Sequence, residues 1–253
     1  MQRTRKILAL GMLISFVLAR SAGAESTPFS AASLSILLAQ ARVQQIQKYS
    51  SRTTREEDLE HALEELKTLG EGALNILNGP RNSFENSEDY ERRAHHLIAS
   101  VIAGFRYALS QNKNPAQMKA AAMLLELNRK LFFSLQRSRH EDLLLLQELT
   151  PLFVVLDPLA KNLRHPNAVL RAKSAENLIY LNQILLLMKQ TYDFAPRDTS
   201  GVNAKTIESN LDLLSPYMHA SVPALKQAAT SADPSIQKQA QMTLNQIEAL
   251  QKI

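Results

Sequence analysis

Beyond Pro28, five prolines in this chain stand directly behind a Ser, Thr, Asp or Asn that caps helices: Asn114-Pro115, Thr150-Pro151, Asp157-Pro158, Ser215-Pro216 and Asp233-Pro234. No other feature limits the fold as much. A capping side chain accepts the free N–H groups of a first helical turn, and proline at the first helical position gives up only an N–H that had no partner. Each pair therefore predicts a helix start. Thr54-Arg55-Glu56-Glu57 adds a capping box, with Leu59, Leu63, Leu66 and Leu69 on one face behind it.

The spacing predicts helices over roughly 30–48, 54–69, 71–78, 88–110, 115–136, 140–149, 151–164, 167–191, 204–214, 217–230 and 234–251. No window alternates apolar and polar residues as a strand does. Beyond residue 24 the glycines are Gly70, Gly72, Gly79, Gly104 and Gly201, too few for a sheet-rich fold with many tight turns. Gly70-Glu71-Gly72 reads as a helix terminator followed by a short second helix. The connections are short apart from 78–87 and 194–203, so neighbouring helices are expected to pack antiparallel. The fold class expected is all-α, either stacked antiparallel helix pairs or an irregular helical bundle.

The first residues read as an export leader. Met1–Lys6 carries Arg3, Arg5 and Lys6, an apolar run follows over Ile7–Ala19, and Ala22-Gly23-Ala24 supplies the small residues of a cleavage site. About a dozen apolar residues fall short of the roughly 18 that span a bilayer. The expected organisation is a signal peptide over 1–24 and one all-helical domain over 25–253, with a sub-boundary near 78–87, in the periplasm or outside the cell. Loss of the leader removes four bases and no acids, which lowers the net charge from +5 to +1. The remainder is asymmetric: Glu25–Glu91 holds 12 acids and 6 bases, Arg92–Ile253 holds 12 acids and 19 bases. Such a chain can pair its two parts with each other or with a second copy, or offer its basic part to an anionic partner.

Two stretches match at an offset of 66 residues. Leu159 falls on Leu225, Leu170 on Ile236, Ser174 on Ala240, Leu178 on Leu244 and Leu181 on Ile247, with His165-Pro166-Asn167 and Ala232-Asp233-Pro234 in the turns. A third copy can be drawn through Tyr90, Ala94 and Ile98. Helix pairs of this kind cannot bury their apolar faces alone, so they stack. Pro158-Leu159, Leu163, His165-Pro166-Asn167 and Leu170-Arg171 followed by Ser174 and Leu178 resemble the HEAT and armadillo class of helical repeats. That class shows an apolar-Arg step at the start of the second helix, then a small and an apolar residue. Ile236-Gln237, Ala240 and Leu244 depart from it at the Arg. The resemblance implies a stacked-helix scaffold of the kind that binds other macromolecules.

Catalytic templates are missing. There is no cysteine, hence no thiol nucleophile, disulfide or Cys-ligated metal. No G-x-S-x-G elbow, phosphate-binding loop or dinucleotide fingerprint occurs. Glu57 with His61 and Glu91 with His95 have the spacing of two ligands on one helical face, without the wider pattern of a zinc or di-iron site. Glu56, Glu57, Asp58, Glu60, Glu64 and Glu65 cluster on one helix as a solvated face does. No catalytic residue, cofactor or metal is expected. The basic turns are the candidate partner-binding residues: Arg137, Arg139 and His140 in one, Arg164 and His165 in another, where stacked repeats can bring equivalent turns to a common edge that grips phosphate or carboxylate. Nucleic acid is not expected, since Phe and Tyr are not interleaved with the bases as a stacking platform requires.

The function expected is therefore a non-catalytic binding or scaffolding protein of the bacterial cell envelope, whose partner is a protein or an anionic envelope component. Two other classes compete: a self-assembling structural protein driven by its charge asymmetry, and an enzyme with an unfamiliar all-helical active site.

Overall fold

The computed structural model describes residues 31–50, 55–78, 87–111, 114–137, 140–194 and 202–251. The leader lies outside them. The chain divides into two units at Ser35/Ile36, and of the first only 31–35, the opening of a helix, is described. Everything below concerns the second unit, Ile36–Ile253.

The described elements are helices: α1 (Ala31–Ser50), α2 (Glu56–Leu77), α3 (Ser87–Gly104), α4 (Arg106–Ser110), α5 (Asn114–Arg137), a 3₁₀ segment (His140–Val155), α6 (Leu156–Asn162), α7 (Ala168–Phe194), α8 (Val202–Ala228) and α9 (Pro234–Gln251). The protein is all-α. None of its described helices is long and apolar enough to cross a membrane.

Two layers emerge from which helices touch. α2 packs on α5, α5 on α7 and α7 on α9, while α3 packs on the 3₁₀ segment, which in turn meets α8. Side-chain pairs fix the directions. Glu60 meets Lys119 and Glu71 meets Lys130, so α2 and α5 run parallel. Asn167 reaches Met118 and Asn177 reaches Asn128, so α5 and α7 run parallel too. Gln40 and Gln47 of α1 donate to the carbonyls of Arg93 and Ser100 on α3, again parallel. Between layers the sense reverses: Gly70 on α2 faces Val101, whereas Gly104 faces Leu66. The described helices thus form four antiparallel pairs, α1 with α2, α3–α4 with α5, the 3₁₀ segment and α6 with α7, and α8 with α9.

The core repeats with the pairs. Each second-layer helix buries residues at i, i+4, i+8 and i+11: Ala62, Leu66, Gly70 and Ala73 on α2; Ala120, Leu124, Asn128 and Leu131 on α5; Leu170, Ser174, Leu178 and Leu181 on α7; Ile236, Ala240, Leu244 and Ile247 on α9. All ten residues of the 66-residue match are buried. The copy drawn through Tyr90, Ala94 and Ile98 is misplaced, because these lie on α3, a first-layer helix; the true counterparts are α2 and α5.

Three punctuation signals also shift. Gly70-Glu71-Gly72 does not end a helix: α2 runs through it, and Gly70 is small because a Cβ there would stand 3.0 Å from Leu127 and Val101. Ser215-Pro216 lies inside α8, as does Pro223 seven residues on. Both prolines are exposed, as are Asp212 and His219, the residues whose carbonyls lose a helical partner. Thr150-Pro151 falls within the 3₁₀ segment. The cap of α2 is Arg55, with no side-chain capping bond, and Thr54 lies outside the described residues.

Candidate binding groove

The turn from α6 to α7 is built residue by residue like the turn from α8 to α9. In the first, Arg164 N–H donates to Lys161 O (3.2 Å) and His165 N–H to Asn162 O (3.1 Å), tightening the helix end by i to i−3 bonds. Asn167 Oδ1 then accepts from the N–H groups of Val169 and Leu170 at 2.9 and 3.1 Å, capping α7. Sixty-six residues on, Thr230 and Ser231 donate to Gln227 O and Ala228 O, and Asp233 Oδ1 accepts from Ser235 and Ile236. The match reaches the side chains of the turns. His165 Nδ1 accepts from Asn167 N–H at 3.1 Å, as Ser231 Oγ does from Asp233 N–H at 3.2 Å. The proton on a neutral His165 must then sit on Nε2. Only the first turn has a clamp: Arg171 Nη1 donates to His165 O (2.8 Å) and Pro166 O (2.7 Å), and its counterpart is Gln237.

Between these turns the seam is left open. Two adjoining hollows, of about 470 and 320 Å³, share Gln227. Alanines form much of the lining, among them Ala160, Ala168, Ala172 and Ala220, and the charged groups are Lys161, Arg164, Arg171 and Asp233. Lys161 pairs with Asp157 at 2.8 Å, both largely exposed. Arg164 is exposed and makes no ion pair among the described residues; the half-buried Gln227 amide has no hydrogen-bond partner among them either.

The candidate residues do not form one edge. Arg137 is exposed at the far end of α5, nineteen residues beyond Met118, which contacts Asn167. At 1.5 Å per residue, Arg137 and Arg164 stand about 28 Å apart along the helix axes, because one turn leads from second layer to first and the other from first to second. Arg139 lies outside the described residues, and of His140 only the backbone, which opens the 3₁₀ segment, is described. Arg164 faces the groove, and His165 is spent on the turn.

Elsewhere the polar groups are engaged in packing. Glu60 and Glu64 both reach Lys119 at 3.1 Å, Lys67 reaches Glu126 at 2.9 Å, Glu71 reaches Lys130 at 2.8 Å and Arg42 reaches Glu65 at 2.7 Å. The acidic face of α2 is thus a ladder of half-exposed ion pairs to α1 and α5 more than a bare wet face. Hydrogen bonds from Lys130 and Lys67 hold the Glu126 carboxyl below its usual range, and bonds to Glu71 and Glu126 hold the Lys130 ammonium above its own. Deeper in, Asn128 Nδ2 donates to Asn177 Oδ1 at 2.9 Å, Asn177 Nδ2 donates to Ala121 O at 2.8 Å, and Ser221 contacts Asn182. His95 is buried, its Nδ1 3.0 Å from Glu91 O. Among the described residues, no three His, Asp or Glu side chains stand close enough to share a metal ion.

No protein-family profile and no curated protein matches the chain. Among solved structures, the crystal structure of an engineered protein aligns over 82% of this chain and 96% of its own, at 15% identity and a TM-score of 0.28. A likeness that slight carries nothing about fold or function.

Proposed function

We propose that this chain is a non-catalytic binding or scaffolding protein of the cell envelope, which engages a protein or an anionic envelope component along its helix stack. The observation that carries this reading is the seam between the third and fourth pairs, where the stack leaves a groove with Arg164, a cation unpaired among the described residues, on its wall. Export rests on the leader, a sequence reading. Self-assembly through opposite charges is the weaker alternative, because Glu60, Glu64 and Glu71 of α2 are spent on lysines of the same chain.

A photocrosslinking side chain placed at Arg164, with another at Arg137 as the distant control, tests the reading in cells. Adducts at position 164, absent at 137 and of a mass other than the dimer, are expected. No adduct at either position would overturn it. Dimer adducts alone, lost at high salt, would establish self-assembly instead.

A further inference from the structure

We infer that the groove between the third and fourth pairs receives an acidic, extended segment of a partner polypeptide. This deepens the binding reading above and rests on it. The seams differ in how they are closed. α2 and α5 are joined by ion pairs, and α5 and α7 by the Asn128–Asn177 bond and the Phe132–Tyr180 ring contact at 5.9 Å. The third and fourth pairs are joined deeper in by the Ser221–Asn182 bond and the Phe153–Tyr217 ring contact at 5.3 Å, but toward the turns alanines make up much of the facing surface and leave the two hollows unfilled. Three of the four charged groups on the lining are cations. The one acid, Asp233, already uses Oδ1 to cap α9. Arg171 spends Nη1 on the turn and Arg164 spends nothing, so guanidinium donors remain for a carboxylate.

The uncharged part of the lining favours a polypeptide. The amide of Gln227 borders both hollows and carries a donor and an acceptor, the complement of one peptide group. Small side chains around it let a main chain approach closely. An acidic strand passing from one hollow to the other can pair its backbone with Gln227 and its carboxylates with Arg164 and Lys161.

The test uses the full chain without its leader and three fluorescent probes: a peptide of alternating glutamate and alanine, the same peptide with lysine for glutamate, and polyphosphate of matched charge. The acidic peptide alone should raise the anisotropy, with affinity falling as salt shortens the Debye length from about 10 Å at 0.1 M to about 3 Å at 1 M. Arg164→Glu should weaken it about tenfold or more, a loss in the range of a reversed charge contact. Ala220→Trp, at an exposed lining position, should block it while leaving the helical circular dichroism unchanged. Equal or tighter binding of polyphosphate, or an acidic peptide indifferent to both variants, would overturn the inference. Crosslinks at Arg164 without acidic-peptide binding would sink this inference and leave the binding reading standing; no crosslinks and no binding would sink both.

Discussion

The seam between the first and second helix pairs and the seam between the third and fourth are made by the same stacking and finished in opposite ways. At α2 and α5, long charged side chains reach across and meet: Lys119 with Glu60 and Glu64, Lys67 with Glu126, Lys130 with Glu71. At the turn ends of α6–α7 and α8–α9 many of the facing side chains are alanines and leave two hollows with Arg164 on the wall, while Ser221 and Asn182 meet deeper in the same seam. The lesson is that backbone stacking depends on the buried quartets, and the side chains above them decide whether a seam is closed or left for a partner. Charge composition by itself does not separate the two, because Glu60, Glu64 and Glu71 of the acidic region are paired with lysines of the same chain.

The contrast can be broken hardest at the buried seam between them. Asn177→Leu leaves the fully buried Asn128 amide without its partner and should cost about 2–3 kcal/mol in urea unfolding. Replacing both asparagines by leucine should recover most of that, since neither partner is then stranded; a double variant as unstable as the single would show that the pair does more than satisfy itself. Next come the two glycines of α2, which should move in opposite directions. Gly70→Ala meets Leu127 and Val101 at 3.0 Å, so overpacking should outweigh the gain in helix propensity and cost about 1 kcal/mol. Gly72→Ala meets nothing within 4 Å and should add about 0.5–1 kcal/mol. Thermal melts of the pair check both signs.

The ion-pair ladder should matter less. Lys130 and Glu126 are almost half exposed, so Lys130→Met should cost less than about 1 kcal/mol. Its pH signature is more telling than its size. The folded Glu126 pKa lies below the unfolded one, so that contribution is complete above about pH 5 and lost as acid takes the carboxyl through its folded value. The folded Lys130 pKa lies above the unfolded one, so its contribution is complete below about pH 10 and lost at more alkaline pH. Lys130→Met should shrink the loss on both flanks. Smallest of all, Arg164→Ala at the open seam should leave stability within about 0.5 kcal/mol of the parent, because nothing in the fold leans on it.

Much of the stack was legible because its signals are local. Asn114-Pro115 and Asp233-Pro234 mark the starts of α5 and α9, and the 66-residue offset carries Asn167 onto Asp233 as the two caps. What misled was context that only packing supplies. Pro216 has the dipeptide of a helix start yet sits on an exposed face where the lost bond is cheap, and Gly70 looks like a terminator yet marks a close approach of neighbouring side chains. The candidate site was half legible. Arg164 stands at a groove; Arg137 shares its charge and its place in an interhelical turn, but neither tells which end of a layer a turn occupies. The role of His165 was readable in principle: its counterpart is Ser231, a small hydroxyl in a turn, which points to a hydrogen-bond acceptor for the chain itself.

The parallel run of the second-layer helices is the feature from which the layers, the seams and the groove all derive, and short-linker crosslinking of introduced cysteines tests it most directly in a chain with no cysteine of its own. Cysteine pairs at Glu60 with Lys119 and at Glu71 with Lys130 should be joined by a bismaleimide that spans about one Lys–Glu ion pair, while Glu60 with Lys130 and Glu71 with Lys119, each displaced by about 16 Å along the helices, should not. Trapping of the second set in place of the first would mean that α2 and α5 run antiparallel, and the four-pair stack would be wrong.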